Sequence, residues 1–164
     1  MPRHRTATLI HEGDGHRYVA TTGTKRTIVY GDDVDRGELS PVETLMVCLA
    51  ACSAMDVWPI SAKKRQQISR YEIRVEATQR DEYPQVLTRV DVTHVVEGPF
   101  VEEAAIRRAI ELSATKYCPV SAMLSAGATE VHHRFLVRNT GKEPVEEEGE
   151  VIVTGPYRRP DVVA

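Results

Sequence analysis

Short β-prone runs separated by turn residues occupy the first part of the chain. They cover residues 6–11, 16–21 and 26–30, and Gly13 and Gly23 lie in the turns between them. Short strands joined by glycine-containing turns are typical of β-hairpins. We therefore predict a three-stranded meander at the N-terminal end.

A long apolar segment comes next. Ser40 and Pro41 supply a helix N-cap and a first helical residue, and residues 42–55 are apolar on nearly every side. A helix of this kind belongs in a core or an interface. Pro59 is expected to kink or break it before a polar second piece at residues 61–67.

The middle of the chain alternates between apolar and polar residues. Residues 71–78 and 86–96 have the period of two that predicts half-buried antiparallel strands. Residues 101–115 have helical spacing with one apolar face, which indicates an amphipathic helix. A short helix from Cys118 to about Ser125 and a strand at residues 130–137 complete the pattern.

The length of 164 residues fits one domain. We predict that this domain covers residues 1–138 and that residues 139–164 form a mobile acidic tail. The acidic part of the tail is expected to be a solvated loop. The β-prone residues 151–154 could add an edge strand to this subunit or to a partner.

Charge and hydropathy exclude several classes of protein. The net charge is −3 and the basic residues are scattered among acids, so no basic surface for nucleic acid is expected. No run of eighteen apolar residues and no apolar leader occurs, which indicates neither membrane insertion nor secretion. A cytoplasmic location is the expectation.

The chain has three cysteines, an odd number that cannot all pair within it, which argues against a disulfide framework. Cys118 precedes Pro119, and the helix N-terminus predicted there favours a thiolate, whereas burial in an apolar pocket would raise the pKa of the thiol. Both interpretations of Cys118 stay open from its local sequence. Cys52, taken alone, fits a small core residue, and Cys48 lies one helical turn before it in a position poorly suited to a disulfide with Cys52.

No metal or cofactor site is predicted. His132 and His133 are adjacent on a predicted strand, so their side chains point to opposite faces and cannot chelate one ion together. The other cysteines and histidines show no close metal-ligand spacing.

Four segments together resemble the OsmC/Ohr family of bacterial proteins, and most closely its uncharacterised OsmC-like branch. They are Ser-Pro-Val-Glu-Thr-Leu at 40–45, Ala-Ala-Cys-Ser-Ala-Met-Asp-Val at 50–57, Arg-Asp-Glu-Tyr-Pro at 80–84 and Leu-Ser-Ala-Thr-Lys-Tyr-Cys-Pro-Val at 112–120. The resemblance implies an α+β subunit in which curved antiparallel sheets pack on a central apolar helix. It also implies an intertwined homodimer with active sites at the dimer interface.

The resemblance further implies a thiol-dependent peroxidase that takes part in oxidative stress defence. In the peroxidase members, the cysteine that matches Cys52 attacks a hydroperoxide and becomes a sulfenic acid. The cysteine that matches Cys118 resolves it as a disulfide, and a dithiol restores the reduced enzyme. The implied partners are therefore a second copy, a hydroperoxide and a dithiol reductant, with no cofactor.

The sequence departs from the peroxidase members at two positions. They carry a glutamate directly after the proline of the helix-start motif, where this chain has Val42, and Glu43 comes about 100° further around the helix. They also carry an arginine that pairs with that glutamate, and Arg17 is the nearest candidate, with an exposed strand arginine as the competing interpretation. The alternative function is a non-catalytic OsmC-like protein that binds a small ligand or senses redox state.

Overall fold

The structure is a computed structural model, and it describes residues 4–13 and 15–155. The part of the predicted tail from residue 156 onward lies outside the described residues. The chain divides into two compact units, one up to Leu45 and one from Met46.

The N-terminal unit contains a three-stranded antiparallel sheet. Its strands are β1 (Ala7–His11), β2 (Tyr18–Thr22) and β3 (Thr27–Tyr30), and β2 lies in the centre. A short 3₁₀ helix at Val34–Arg36 follows. The predicted meander is therefore confirmed.

Helix α1 (Pro41–Lys63) begins where the sequence predicts, but it runs through Pro59 without a break. Its buried side chains are four residues apart: Leu49, Ser53, Val57 and Ser61. Because Val57 and Ser61 are buried on both sides of Pro59, packing holds both halves in the helix despite the backbone donor that proline lacks. The predicted polar continuation ends at Lys63 instead of residue 67.

Most of the remaining α1 surface is apolar and exposed. Val47 is 66% exposed, Met55 78% and Trp58 48%. By length and composition α1 is the one helix in the described chain that could cross a membrane, a test that core helices of soluble proteins also pass. The prediction of an all-round apolar helix is confirmed, and a single copy of the chain covers only one stripe of it.

The second unit contains a four-stranded sheet in the order β4-β5-β6-β7. Its strands are β4 (Arg70–Gln79), β5 (Leu87–Gly98), β6 (Glu130–Asn139) and β7 (Val145–Thr154). The pair β4–β5 is antiparallel as expected, the pair β6–β7, which was not predicted, is also antiparallel, and β5 and β6 run parallel. A parallel pair needs a long crossover connection, and the helices between Gly98 and Glu130 supply it.

That crossover consists of α2 (Glu103–Leu112), a π-helical turn at Ser113–Tyr117 and α3 (Pro119–Ser125). The single amphipathic helix predicted over 101–115 is therefore shorter, and its last turn is wider than an α-helical one. Strands and helices of these types confirm the α+β class. The main core joins α1, α2 and one side of the sheet, through Val57, Val96, Val101, Ile106, Ala109, Ile110, Phe135 and Val137.

The acidic residues expected in a solvated loop instead lie in β7. Glu146 accepts a hydrogen bond from Arg138 Nε at 2.6 Å, and Glu150 lies 2.9 Å from His132 Nδ1, both on the neighbouring strand β6. Opposite charges on adjacent strands stabilise the pairing. The prediction of a solvated loop failed because the side chains that pair with these glutamates lie on β6, outside the acidic segment. The domain boundary at residue 138 stays a prediction, although the sheet itself continues to Thr154.

His94 and His133 are buried on the side of the sheet that faces the helices. The same side of the sheet carries Tyr71 and Phe135. Burial lowers the pKa of His94 from 6.5 to about 3, and the nearby His133 adds to this shift. Burial, with a smaller effect of His132, lowers the pKa of His133 from 6.5 to about 4. Both imidazoles are therefore neutral in the folded protein at neutral pH.

We predict that stability falls as the pH is lowered from neutral. Below about pH 6.5 the unfolded chain binds protons that folded His94 and His133 do not, so the stabilisation is complete above that pH and is lost towards the folded pKa values. The free energy of unfolding should drop by up to about 1.4 kcal/mol per pH unit for each histidine. Urea unfolding at about pH 7 and about pH 5.5 measures this change.

The variant His94→Gln should reduce that pH dependence, whereas His16→Gln, which changes an exposed histidine, should leave it intact. Equal unfolding free energies of the unchanged protein at the two pH values would contradict the prediction.

Candidate active site

Cys52 lies in the middle of α1, beside the stripe of buried residues. Its side chain is half-buried, and the next residue, Ser53, is fully buried. Cys48, one turn earlier, is exposed. The helix therefore presents two thiols in different environments, and only Cys52 is partly enclosed by the protein core.

Cys118 is the N-cap of α3, as the sequence predicts. Its backbone is extended, with φ −75° and ψ 102°, and its Sγ accepts a hydrogen bond from the Ser121 amide at 3.4 Å. The Cys118 amide donates to the Ser113 carbonyl at 2.9 Å, across the π-helical turn. Pro119 occupies the first helical position, where its missing N–H has no helical partner to lose.

The two thiols lie near each other. Cys52 is close enough to Cys118 to influence its thiol, and both cysteines are free. Burial, and after it the neighbouring Cys52 thiol, raises the pKa of the Cys118 thiol, while the amides of Ser121 and Val120 act in the opposite direction. Of the two interpretations left open by the sequence, burial therefore outweighs the helix N-terminus at Cys118.

Arg17 belongs to the N-terminal unit, directly before β2. It donates a hydrogen bond to Glu38 at 2.9 Å and lies 3.8 Å from Glu12. The Glu38 side chain is only 4% exposed, and Arg17, assisted by the amide of Asp33, holds its pKa below the usual range.

Glu43, which comes one residue after the position of the family's acid, is exposed in the first turn of α1. The carboxylate that pairs with Arg17 is Glu38, which the family pattern did not point to because it precedes the helix-start motif. The sequence feature that could have pointed to Glu38 is its position two residues before Ser40, where the helix-start motif begins.

A chain of hydrogen bonds that was not predicted runs through the interior next to Cys52. Tyr71 Oη lies 2.7 Å from His94 Nδ1, and His94 Nε2 lies 3.3 Å from Ser53 Oγ. Ser53 Oγ lies 3.3 Å from Ser113 Oγ, which donates to Asp56 Oδ2 at 3.0 Å. The sequence signal for this chain was the presence of serines at otherwise apolar core positions.

A separate hydrogen bond between two side chains lies next to Cys118 and involves Ser121. Ser121 Oγ is 3.1 Å from His133 Nε2, and both side chains are fully buried. Thus Ser121 contacts the thiol through its amide and a histidine through its hydroxyl. Within residues 4–13 and 15–155, no group of three or more cysteine, histidine, aspartate or glutamate side chains could hold a metal ion.

Known proteins match both the sequence and the fold. A family model described as OsmC-like protein matches residues 32–134. Protein YhfA of Escherichia coli K12 is 36% identical over 93 residues, which are 57% of this chain and 69% of that protein.

Solved structures give the same result. A hypothetical protein from Aquifex aeolicus superposes with a TM-score of 0.74 at 27% identity, over 83% of this chain and 97% of the other. The organic hydroperoxide resistance protein OhrB of Bacillus subtilis superposes with a TM-score of 0.55 at 16% identity, over 81% of this chain and 98% of the other, a likeness of fold alone. Because the family model covers more than half of the sequence, the chain belongs to the family of OsmC-like proteins.

Proposed function

We propose that this protein is a thiol-dependent hydroperoxide reductase that takes part in defence against oxidative stress. The Cys52 thiolate attacks the terminal oxygen of a hydroperoxide, which breaks the O–O bond and yields a Cys52 sulfenic acid and, after protonation of the leaving oxygen, an alcohol or water. The Cys118 sulfur then attacks the Cys52 sulfur, forms a disulfide and releases water. A dithiol reduces this disulfide and is itself oxidised.

The nearness of Cys52 and Cys118 is the observation that supports this proposal. Two free thiols from distant parts of the sequence, one half-buried and one buried, are brought together where Ser113 bonds to Asp56 of α1 and to the Cys118 amide. A resolving cysteine has to reach a sulfenic acid before a second peroxide oxidises it further, and nearness favours the faster intramolecular reaction. The organic hydroperoxide resistance proteins that share this fold are consistent with the same chemistry.

The alternative function, a non-catalytic ligand-binding or redox-sensing protein, is supported by a different observation. The pKa of the Cys118 thiol is raised, and Val42 occupies the position of the family's acid. A thiol with a raised pKa supplies little thiolate at neutral pH, so its oxidation to a disulfide would be slow. The two functions therefore differ in rate rather than in the bond that forms.

We predict that the reduced protein turns over cumene hydroperoxide in the presence of dihydrolipoamide. Cys52→Ser should abolish turnover because no sulfur is left to attack the peroxide. Cys118→Ser should consume about one equivalent of peroxide and then stop, since the sulfenic acid cannot be resolved. Loss of peroxide is measured by absorbance, with and without the dithiol.

Cys48→Ser is the matched control, because it removes an exposed thiol on the same helix and should leave turnover unchanged. Turnover that persists in Cys52→Ser would overturn the assignment of the attacking residue. Oxidation of the unchanged protein over hours, without saturable turnover, would favour the sensing alternative.

We also propose that two copies form a homodimer through the exposed side of α1. Val47, Met55 and Trp58 form an apolar surface that one chain leaves in contact with water, and burying such a surface favours association. The proposed location is the cytoplasm, where a reducing environment keeps cysteines such as Cys48 and Cys52 in the thiol form.

We predict that sedimentation equilibrium gives twice the mass of the 164-residue chain. Met55→Glu should shift the equilibrium to the monomer, because a dimer would bury its carboxylate in an apolar contact. Tyr83→Glu is the control, since Tyr83 is an exposed apolar residue in the loop between β4 and β5, away from α1 in the sequence. A monomeric unchanged protein would refute the proposed homodimer.

A further inference from the structure

The π-helical turn places Ser113 and Cys118 on the same side of the crossover. Five residues of an α-helix would leave them about 140° apart around the axis, because each residue turns by about 100°. A π-helical turn closes with a bond between residues five apart, so Cys118 follows Ser113 after about one full turn. The bond from the Cys118 amide to the Ser113 carbonyl is this closure.

Helix α1 lies against that turn. Asp56 accepts a hydrogen bond from Ser113 Oγ at 3.0 Å, and Cys52 is close enough to Cys118 to influence its thiol. Residues four apart in a helix lie on one face, about one turn from each other. Cys52 of α1 thus faces Cys118 of the crossover, and Asp56 faces Ser113.

The hydrogen bonds behind Asp56 have only one consistent direction. Ser113 uses its single hydroxyl hydrogen in the bond that it donates to the Asp56 carboxylate. Ser53 therefore has to be the donor in its bond with Ser113. Ser53 has then used its own proton, so His94 Nε2 donates to Ser53 Oγ. A neutral imidazole with a proton on Nε2 accepts a hydrogen bond at Nδ1. Tyr71 Oη is the donor of that hydrogen bond.

Every donor in this chain therefore points towards one carboxylate. Hydrogen bonds arranged head to tail polarise each other, which strengthens the last bond, from Ser113 to Asp56. Ser53, His94 and Ser113 are fully buried, so water does not compete for their bonds. The chain thus ends on the Asp56 carboxylate and holds Ser113 against α1.

We propose that Asp56 and Ser113 are positioning residues, and that their hydrogen bond fixes the π-helical turn so that the Cys118 thiol faces Cys52. This inference rests on the proposed disulfide between Cys52 and Cys118, but it does not depend on a peroxide as the oxidant. The clamp limits the motion of the two reduced thiols and thereby raises their effective concentration towards each other.

The test uses glutathione disulfide as the oxidant and the Cys48→Ser protein as the background. Glutathione disulfide accepts two electrons, so that the dithiol becomes the Cys52–Cys118 disulfide and two molecules of glutathione are released. The equilibrium constant is obtained by trapping free thiols over a range of glutathione ratios. Ser113→Ala should lower it about tenfold, as expected for the loss of a hydrogen bond to a charged group, and Asp56→Asn should lower it by less, because the asparagine oxygen still accepts the bond but carries no charge.

Asp81→Asn is the matched control, because it makes the same chemical change at an exposed position and should leave the constant unchanged. The double variant Asp56→Asn/Ser113→Ala should lose no more than Ser113→Ala alone, since Asp56→Asn weakens the same bond that Ser113→Ala removes. An unchanged constant in both single variants, or additive losses in the double variant, would overturn the inference. Absence of peroxide turnover would instead overturn only the proposed enzymatic function.

A second measurement needs no variant and tests the direction of the chain. Long-range ¹⁵N–¹H NMR correlations of the unchanged protein should show His94 neutral and protonated on Nε2. Protonation on Nδ1 would mean that the chain does not end in a bond donated to Asp56, and it would overturn the inference even if the variants fold poorly.

Discussion

The buried stripe of α1 packs against the helix-facing side of the four-stranded sheet, and the arrangement of the thiols depends on this contact. Val57 joins the core that contains Val96 and Phe135, and Ser53 reaches His94 on β5. Removing this apolar surface from water is the main favourable contribution to such packing. It fixes both the depth and the rotation of α1, and consequently the direction in which Cys52 points.

Because α1 carries Ser53 among its buried residues, the same packing has to place polar partners beside this serine. An unpaired buried hydroxyl costs about 1–3 kcal/mol, so Ser53 requires partners from the sheet and the crossover. His94 and Ser113 are these partners, and Asp56 ends the series. A requirement of stability thus brings the π-helical turn, with Cys118 at its end, against the helix that holds Cys52. Stability and the proposed chemistry depend on the same set of contacts.

The parts of the structure that could be predicted are those with a local signal. The N-terminal meander, the start of α1 at Pro41 and the N-cap at Cys118 each follow from periodicity or from a proline and its neighbour. The family resemblance supplied the pairing of Cys52 with Cys118, which no local pattern contains.

What was missed depends on residues far apart in the sequence. The acidic segment became β7 because Arg138 on β6 provides an opposite charge and His132 a hydrogen-bond partner, and Glu38 pairs with an arginine 21 positions away. The run of α1 through Pro59 depends on tertiary burial, and the π-helical turn has no periodicity of its own to detect. Each of these features was decided by packing rather than by local propensity.

The most direct test of the account is the identity of the bond that forms on oxidation. The reduced protein is treated with one equivalent of cumene hydroperoxide, its remaining thiols are alkylated, and the digested protein is mapped by mass spectrometry without reduction. The account predicts a cross-linked pair of peptides that contain Cys52 and Cys118, with Cys48 alkylated. A product in which Cys118 is alkylated while Cys52 is linked to Cys48, or carries a sulfinic acid, would contradict it.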